Sequence, residues 1–279
     1  MCILFLHVNP DPKDKEYRLI VATNRDEFYR RPAKTAFQCP KTGVIAGRDM
    51  EPGREGGTWV GLVKKNYPEN GKASKYCFSC LTNIPSKVDK ATGRGMLVID
   101  YLEGENNFPD YIKKLRNNGL VYNGFNLIGV ELSKDRAPKV YHTSNMPQID
   151  SEYTGKHTIG FGNTSISSPY IKVLNGRNKF LEIIERDLDH DQLKEELVAL
   201  LKDDTKHLPD VELSRRNPGA LEKLSSIYVG FQQAGYGTRT HTIILIDKDW
   251  NMEFTEITMA EPIQIENPTW NTTVIKSTL

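Results

Sequence analysis

Short apolar runs separated by turn-forming residues restrict the fold of this chain more than any other feature. Runs at residues 2–6, 17–22, 43–47, 58–63, 75–82 and 125–130 are each bounded by Gly, Pro, Asn or Asp clusters, the signature of strands. Shorter strand-like runs follow at 140–142 and 158–161, and the pattern returns at 226–231, 238–246 and 252–257. Helical spacing is confined to the middle: 96–102, 109–117, 170–187, and a segment that opens with Asp189-His190-Asp191-Gln192. Residues 64–74 and 210–224 read as polar or loop-like. The order is strands, helices, strands, without regular βαβ alternation. It predicts an α+β fold of two mainly antiparallel sheets covered by helices. No Gly/Ser or Pro-rich linker divides the 279 residues, which predicts one domain with a core over about residues 1–258 and a C-terminal extension. No apolar run approaches the ~20 residues needed to cross a bilayer.

Charge narrows the partners. Thirty-seven basic against 36 acidic side chains leave a net charge of +1, which argues against a broad nucleic-acid or anionic-membrane surface. Four scattered cysteines do not make a disulfide framework, and the opening run lacks the basic flank of a signal peptide, so a reduced, cytoplasmic location is expected.

One of those cysteines, Cys2, stands at the start of the first strand. Backbone pairing would hold it in place. If Met1 is removed, Cys2 carries both a thiol and an α-amine titrating near ~8, which can activate that thiol. The alternative is a buried cysteine packed as a small hydrophobe. At the end of the second strand, Asn24, Arg25, Asp26 and Glu27 are consecutive polar side chains. Burying them is costly unless they bond to one another or to a ligand. Either a ligand site or an Arg–Asp staple satisfies that condition. Asn83 and Asn163 also fall at strand ends. Cys77 and Cys80 form a Cys-x-x-Cys pair, but residues three apart on a strand point to opposite faces, so no catalytic metal is expected there. The glycines of 43–61 read as a hairpin, since no P-loop Lys-Ser/Thr follows.

Several stretches taken together resemble the transport and Golgi organisation protein 2 family, which includes haem-responsive haem-trafficking proteins. They are Met1-Cys2-Ile3, Asn24-Arg25-Asp26-Glu27-Phe28, Gly56-Gly57-Thr58-Trp59, Tyr122-Asn123-Gly124-Phe125-Asn126-Leu127 and Gly235-Tyr236-Gly237-Thr238-Arg239-Thr240. The resemblance implies an αββα sandwich like that of the N-terminal-nucleophile hydrolases. It places Cys2 at the nucleophile position, Arg25 and Asp26 at the Arg/Asp pair, Asn83 and Asn163 at oxyanion or orienting positions, and Arg239 at the distal arginine. It also implies haem, or another small apolar ligand, as transported cargo. Asn24, Glu27, Arg239 and His241 are the candidate ligand-binding residues, and haem donor or acceptor proteins the partners. A cytoplasmic protein with peripheral contact to mitochondria or to lysosome-related or Golgi organelles would fit. Two further functions stay open: Cys2-dependent amide hydrolysis, and lipid or acyl-CoA binding.

Overall fold

A computed structural model describes residues 1–67 and 72–279. In chain order its strands are β1 (Ile3–Val8), β2 (Tyr17–Phe28), β3 (Ala33–Gln38), β4 (Ile45–Asp49), β5 (Val60–Tyr67), β6 (Lys72–Asn83) and β7 (Phe125–Ser133). They continue with β8 (Arg136–Asn145), β9 (Gln148–Thr154), β10 (His157–Phe161), β11 (Gly230–Phe231), β12 (Tyr236–Asp247), β13 (Asn251–Met259) and β14 (Trp270–Thr278). The helices are α1 (Met96–Glu103), α2 (Phe108–Asn117), α3 (Ile171–Ile184), α4 (His190–Leu201), α5 (Val211–Arg216) and α6 (Leu221–Leu224). The chain divides into two compact units: Met1–Pro32 with His157–Thr278, and Ala33–Lys156 with Leu279.

The first unit carries a seven-stranded sheet in the order β10-β1-β2-β12-β13-β14, with β11 paired to β12. Every pairing is antiparallel. Alternation sets one face against the helices. Ile3 and Phe5 of β1, Ile20 and Ala22 of β2, and Ile243 and Leu245 of β12 share a core with Val173 and Phe180 of α3 and Leu193 and Leu197 of α4. Each fully buried Leu or Phe there contributes ~1.5–3 kcal/mol. Gly176 lets α3 approach: a Cβ at that position would lie 2.3 Å from Phe5 Cζ. Helix α4 starts where its sequence says it should, with a reciprocal capping box between Asp189 and Gln192.

The second unit holds the other seven-stranded sheet, in which β3 to β9 follow one another as neighbours in chain order. Val44, Val63, Cys77, Leu127 and Tyr141 form its helix-side core with Leu97, Leu102, Phe108 and Ile112 of α1 and α2. Gly129 leaves room for the Phe108 ring, whose Cδ2 would lie 2.1 Å from an added Cβ.

The two mainly antiparallel sheets with helices agree with the order of runs in the sequence. Individual elements differ. The second strand does not stop before the Asn24–Phe28 motif; β2 continues through Phe28, because β12 pairs with it along that whole length. The segment 64–74 is largely strand, with residues 68–71 outside the described residues. The segment 210–224 is not a loop, since Asp210 caps α5 by accepting from the Leu213 amide at 2.8 Å. Only Gly230–Phe231 of the run at 226–231 is strand. Residues beyond 258 add β14 to the first sheet, paired to β13 from Met259↔Trp270 to Asn251↔Thr278. Among the described residues no helix is long and apolar enough to cross a membrane.

Candidate functional site

The NRDE motif lies where β1 begins and β2 meets a bulge in β12. Ile3 pairs with Asn24, which sets Cys2 beside the second half of the motif. On the other side, Asp26 pairs with Thr238 and Arg25 with Thr240. Arg239 is the extra residue of a β-bulge, which leaves it outside the ladder and re-aims its side chain.

Three groups converge at this point. The Cys2 thiol lies 4.0 Å from the backbone carbonyl of Asp26. The α-amine of Met1 sits 3.5 Å from Asp26 Oδ2 and donates to the Tyr236 hydroxyl. Tyr236 in turn donates to the Asp26 carbonyl at 3.2 Å. Asp26 Oδ1 accepts from Thr238 Oγ1 at 2.6 Å, and that same oxygen accepts from the Val229 amide at 2.9 Å. Burial raises the Asp26 carboxyl above its usual range, opposed by the α-amine, by Lys172 and by the Thr238 bond. Burial likewise pushes the Cys2 thiol up, with the α-amine as the leading opposing influence. Lys172 is 1% exposed, and its ammonium donates to the Ser226 carbonyl at 2.9 Å. Burial pushes it down to about 8, against the attraction of Asp26 and Cys2.

The other candidates are held differently. Arg239 is 1% exposed. Its Nη1 donates to the carbonyls of Phe28 and Arg31, and its Nη2 pairs with Glu261 at 2.7 Å. It thereby fastens the chain that leaves β2. Arg25 is buried within β2. Asn24 donates from Nδ2 to the carbonyls of Leu201 and Ile227 at 2.8 and 3.2 Å. The Leu201 carbonyl is one of the orphans at the end of α4. With Nδ2 donating, Asn24 Oδ1 must accept, so His241 Nδ1, 2.7 Å away, carries the proton. The His241 ring stacks on Trp270 with centroids 5.1 Å apart. Burial and nearby Lys202 push it down to about 3, so it is neutral. Glu27 accepts from the Phe28 amide and lies 3.5 Å from Arg31. Asn163 follows β10 and is buried in the first unit, whereas Asn83 ends β6 in the second.

The first unit thus brings Cys2 and Asp26 into one centre and places Arg25 and Arg239 on the strand pair that builds it. Asn24 and His241 form a separate buried pair. Sequence reasoning missed Lys172, Tyr236 and Thr238. A signal for Lys172 exists: Lys172, Gly176 and Phe180 repeat every four residues on the buried face of α3, which puts a lysine on an apolar stripe.

With Met1 in place, the amine at this centre belongs to Met1, and Cys2 is a buried, neutral thiol. Removal of Met1 would transfer the amine to Cys2 itself. Among the described residues no group of three or more His, Cys, Asp or Glu side chains is placed to hold a metal ion.

Fold and site together define an α+β protein whose N-terminal strand sets a thiol beside a buried carboxylate. The chain belongs to the Transport and Golgi organisation 2 family, whose model matches residues 1–261. The Transport and Golgi organization protein 2 homolog of Bos taurus is 37% identical over 96% of this chain and 98% of its own length. The Drosophila melanogaster protein of that name is 34% identical over 93% of this chain and 92% of its own. Among solved structures, a penicillin V acylase from Agrobacterium tumefaciens aligns over 97% of this chain and 90% of its own, with 10% identity and a TM-score of 0.43.

Proposed function

We propose that this protein traffics haem, carrying it non-covalently from donor to acceptor proteins in the cytoplasm or at an organelle surface, on a hydrolase-like shell whose thiol is held out of use. The haem assignment rests on the family resemblance. The observation that favours carriage over catalysis is the pairing of the Met1 α-amine with Asp26 and Tyr236. That pairing deprives Cys2 of its base, while burial keeps the thiol protonated. Arg239, Asn24 and His241 are likewise engaged by backbone carbonyls or by one another. The test is titration of the intact protein with haemin. Saturable, reversible binding that is unchanged in Cys2→Ala is expected. Absence of binding, or a covalent adduct on Cys2, would overturn the proposal.

A second reading has one observation in its favour. The carboxylate that now anchors the Met1 amine stands beside Cys2, where it would receive the amine of Cys2 after Met1 removal. Amide hydrolysis through Cys2 then becomes chemically possible. It requires a mature chain lacking Met1 that accumulates an acyl adduct on Cys2.

A further inference from the structure

At the opposite end of the first sheet from Cys2, the start of β2, the β12–β13 turn, the end of β14 and the start of α4 enclose a cavity of about 800 Å³. Tyr17 lies nine residues along β2 from Asp26, so about 30 Å of strand separates the cavity from the thiol. Its apolar lining comes from Tyr17, Leu188, Leu245 and Met252. Its rim carries Lys15, Lys248 and Lys276.

These cations are not equivalent. Glu253 is 5% exposed and gathers Lys194 at 2.6 Å, Lys276 at 2.9 Å and His190 at 3.1 Å. The other His190 ring nitrogen lies 3.1 Å from the Tyr17 hydroxyl. That set is a fixed hub joining α4, β13 and β14. Lys15 and Lys248 are held only from outside. Lys15 pairs with Asp187, at side-chain exposures of 60% and 80%, and Lys248 with Asp14, at 41% and 88%. Exposed pairs of this kind contribute ~0–1 kcal/mol, so exchanging them for another carboxylate costs little. Carboxylates on the rim are mostly turned inward. Asp189 caps α4, Asp247 accepts from the backbone and side chain of Asn251, and Glu16 accepts from Asn9 and the Lys13 amide. The cavity therefore combines an apolar lining with two exchangeable ammonium groups.

We infer that this cavity is the cargo site, and that it takes an anionic amphiphile whose apolar body lies over Tyr17, Leu188, Leu245 and Met252 while its carboxylates exchange onto Lys15 and Lys248. The inference rests on the carrier reading and supplies its location. It also accounts for why Cys2 is not needed for carriage. The experiment compares haemin binding to the full chain, to Cys2→Ala and to the double variant Lys15→Glu/Lys248→Glu, whose two positions are exposed and whose thermal unfolding should match the parent. At least a tenfold loss of haemin affinity in the double variant, with Cys2→Ala unchanged, is expected. Parent-like haemin binding by the double variant overturns the site and leaves the carrier reading standing. If the parent does not bind haemin, the carrier reading falls, and 1-anilinonaphthalene-8-sulfonate, a smaller anionic amphiphile, decides the site. Bound by the parent and lost from the double variant, it supports the cavity; bound equally by both, or by neither, it overturns it.

Discussion

Thr238→Val tests whether the buried carboxylate at the centre is stabilised by the bond assigned to it. Valine keeps the shape of threonine and removes only the hydroxyl. That hydroxyl donates to Asp26 Oδ1 at 2.6 Å and accepts from the Val229 amide at 2.9 Å, and Thr238 is fully buried. The substitution leaves two buried polar groups unmatched, one of them a carboxylate. Each such loss costs ~1–3 kcal/mol, giving about 3 kcal/mol for the pair. A chain of this size loses roughly 2–4 °C of Tm per kcal/mol, so unfolding should move down by roughly 6–12 °C in a thermal melt followed by circular dichroism. Thr238→Ser keeps the hydroxyl and drops one methyl, a loss of ~1 kcal/mol. The deficit of the valine variant should narrow as the pH falls, because burial already holds the Asp26 carboxyl above its usual range and protonation removes the charge that Thr238 serves. Unfolding of Thr238→Val at the parent temperature, or an equal loss in the serine variant, would refute this account of Asp26.

The hub at Glu253 should show the reverse pH dependence. Burial acts to raise its carboxyl, but bonds from Lys194, Lys276, Thr255 and His190 hold it down to about 2. A depressed folded value means that the stabilisation is present above the ordinary glutamate range near ~4.3 and is lost as the pH falls through the folded value. After discounting for the exposure of Lys276 and His190, at 70% and 41%, about 1–2 kcal/mol remains. Glu253→Gln should therefore be less stable than the parent in urea at neutral pH and should approach it near pH ~2; an offset independent of pH would count against the hub. Gly176→Ala should destabilise, although alanine favours helix by ~1 kcal/mol, because the new Cβ meets Phe5 Cζ at 2.3 Å and Ile227 Cδ1 at 2.9 Å. A raised Tm would show that Phe5 can move aside.

Much of the fold was legible because local signals and tertiary pairing agree. The alternating runs at the N-terminus became the β1–β2 pair, and the Asp189 capping box became the start of α4. The motif at Asn24–Phe28 was misplaced relative to its strand for a physical reason. Consecutive polar side chains look like a strand terminus, yet here they remain in the ladder because Thr238, His241 and the end of α4 satisfy Asp26 and Asn24 from elsewhere in the sequence. The bulge at Arg239 is a property of the β2–β12 register and leaves no local mark. Helix α5 was hidden by its brevity and by the flanking Pro209 and Pro218, and β14 by its mostly polar alternation. Cys2 and Asp26 were found because their chemistry is unusual for a strand. Lys172 was missed because a lysine within a helix ordinarily faces solvent.

The measurement that bears most directly on the central claim is the intact mass of the protein isolated from cells, paired with haemin titration of the parent and of Cys2→Ala. The account predicts a chain that retains Met1 and binds haemin saturably and reversibly, with the same affinity when Cys2 is alanine. A chain lacking Met1 that carries an acyl adduct on Cys2, or a parent protein that does not bind haemin, would contradict it.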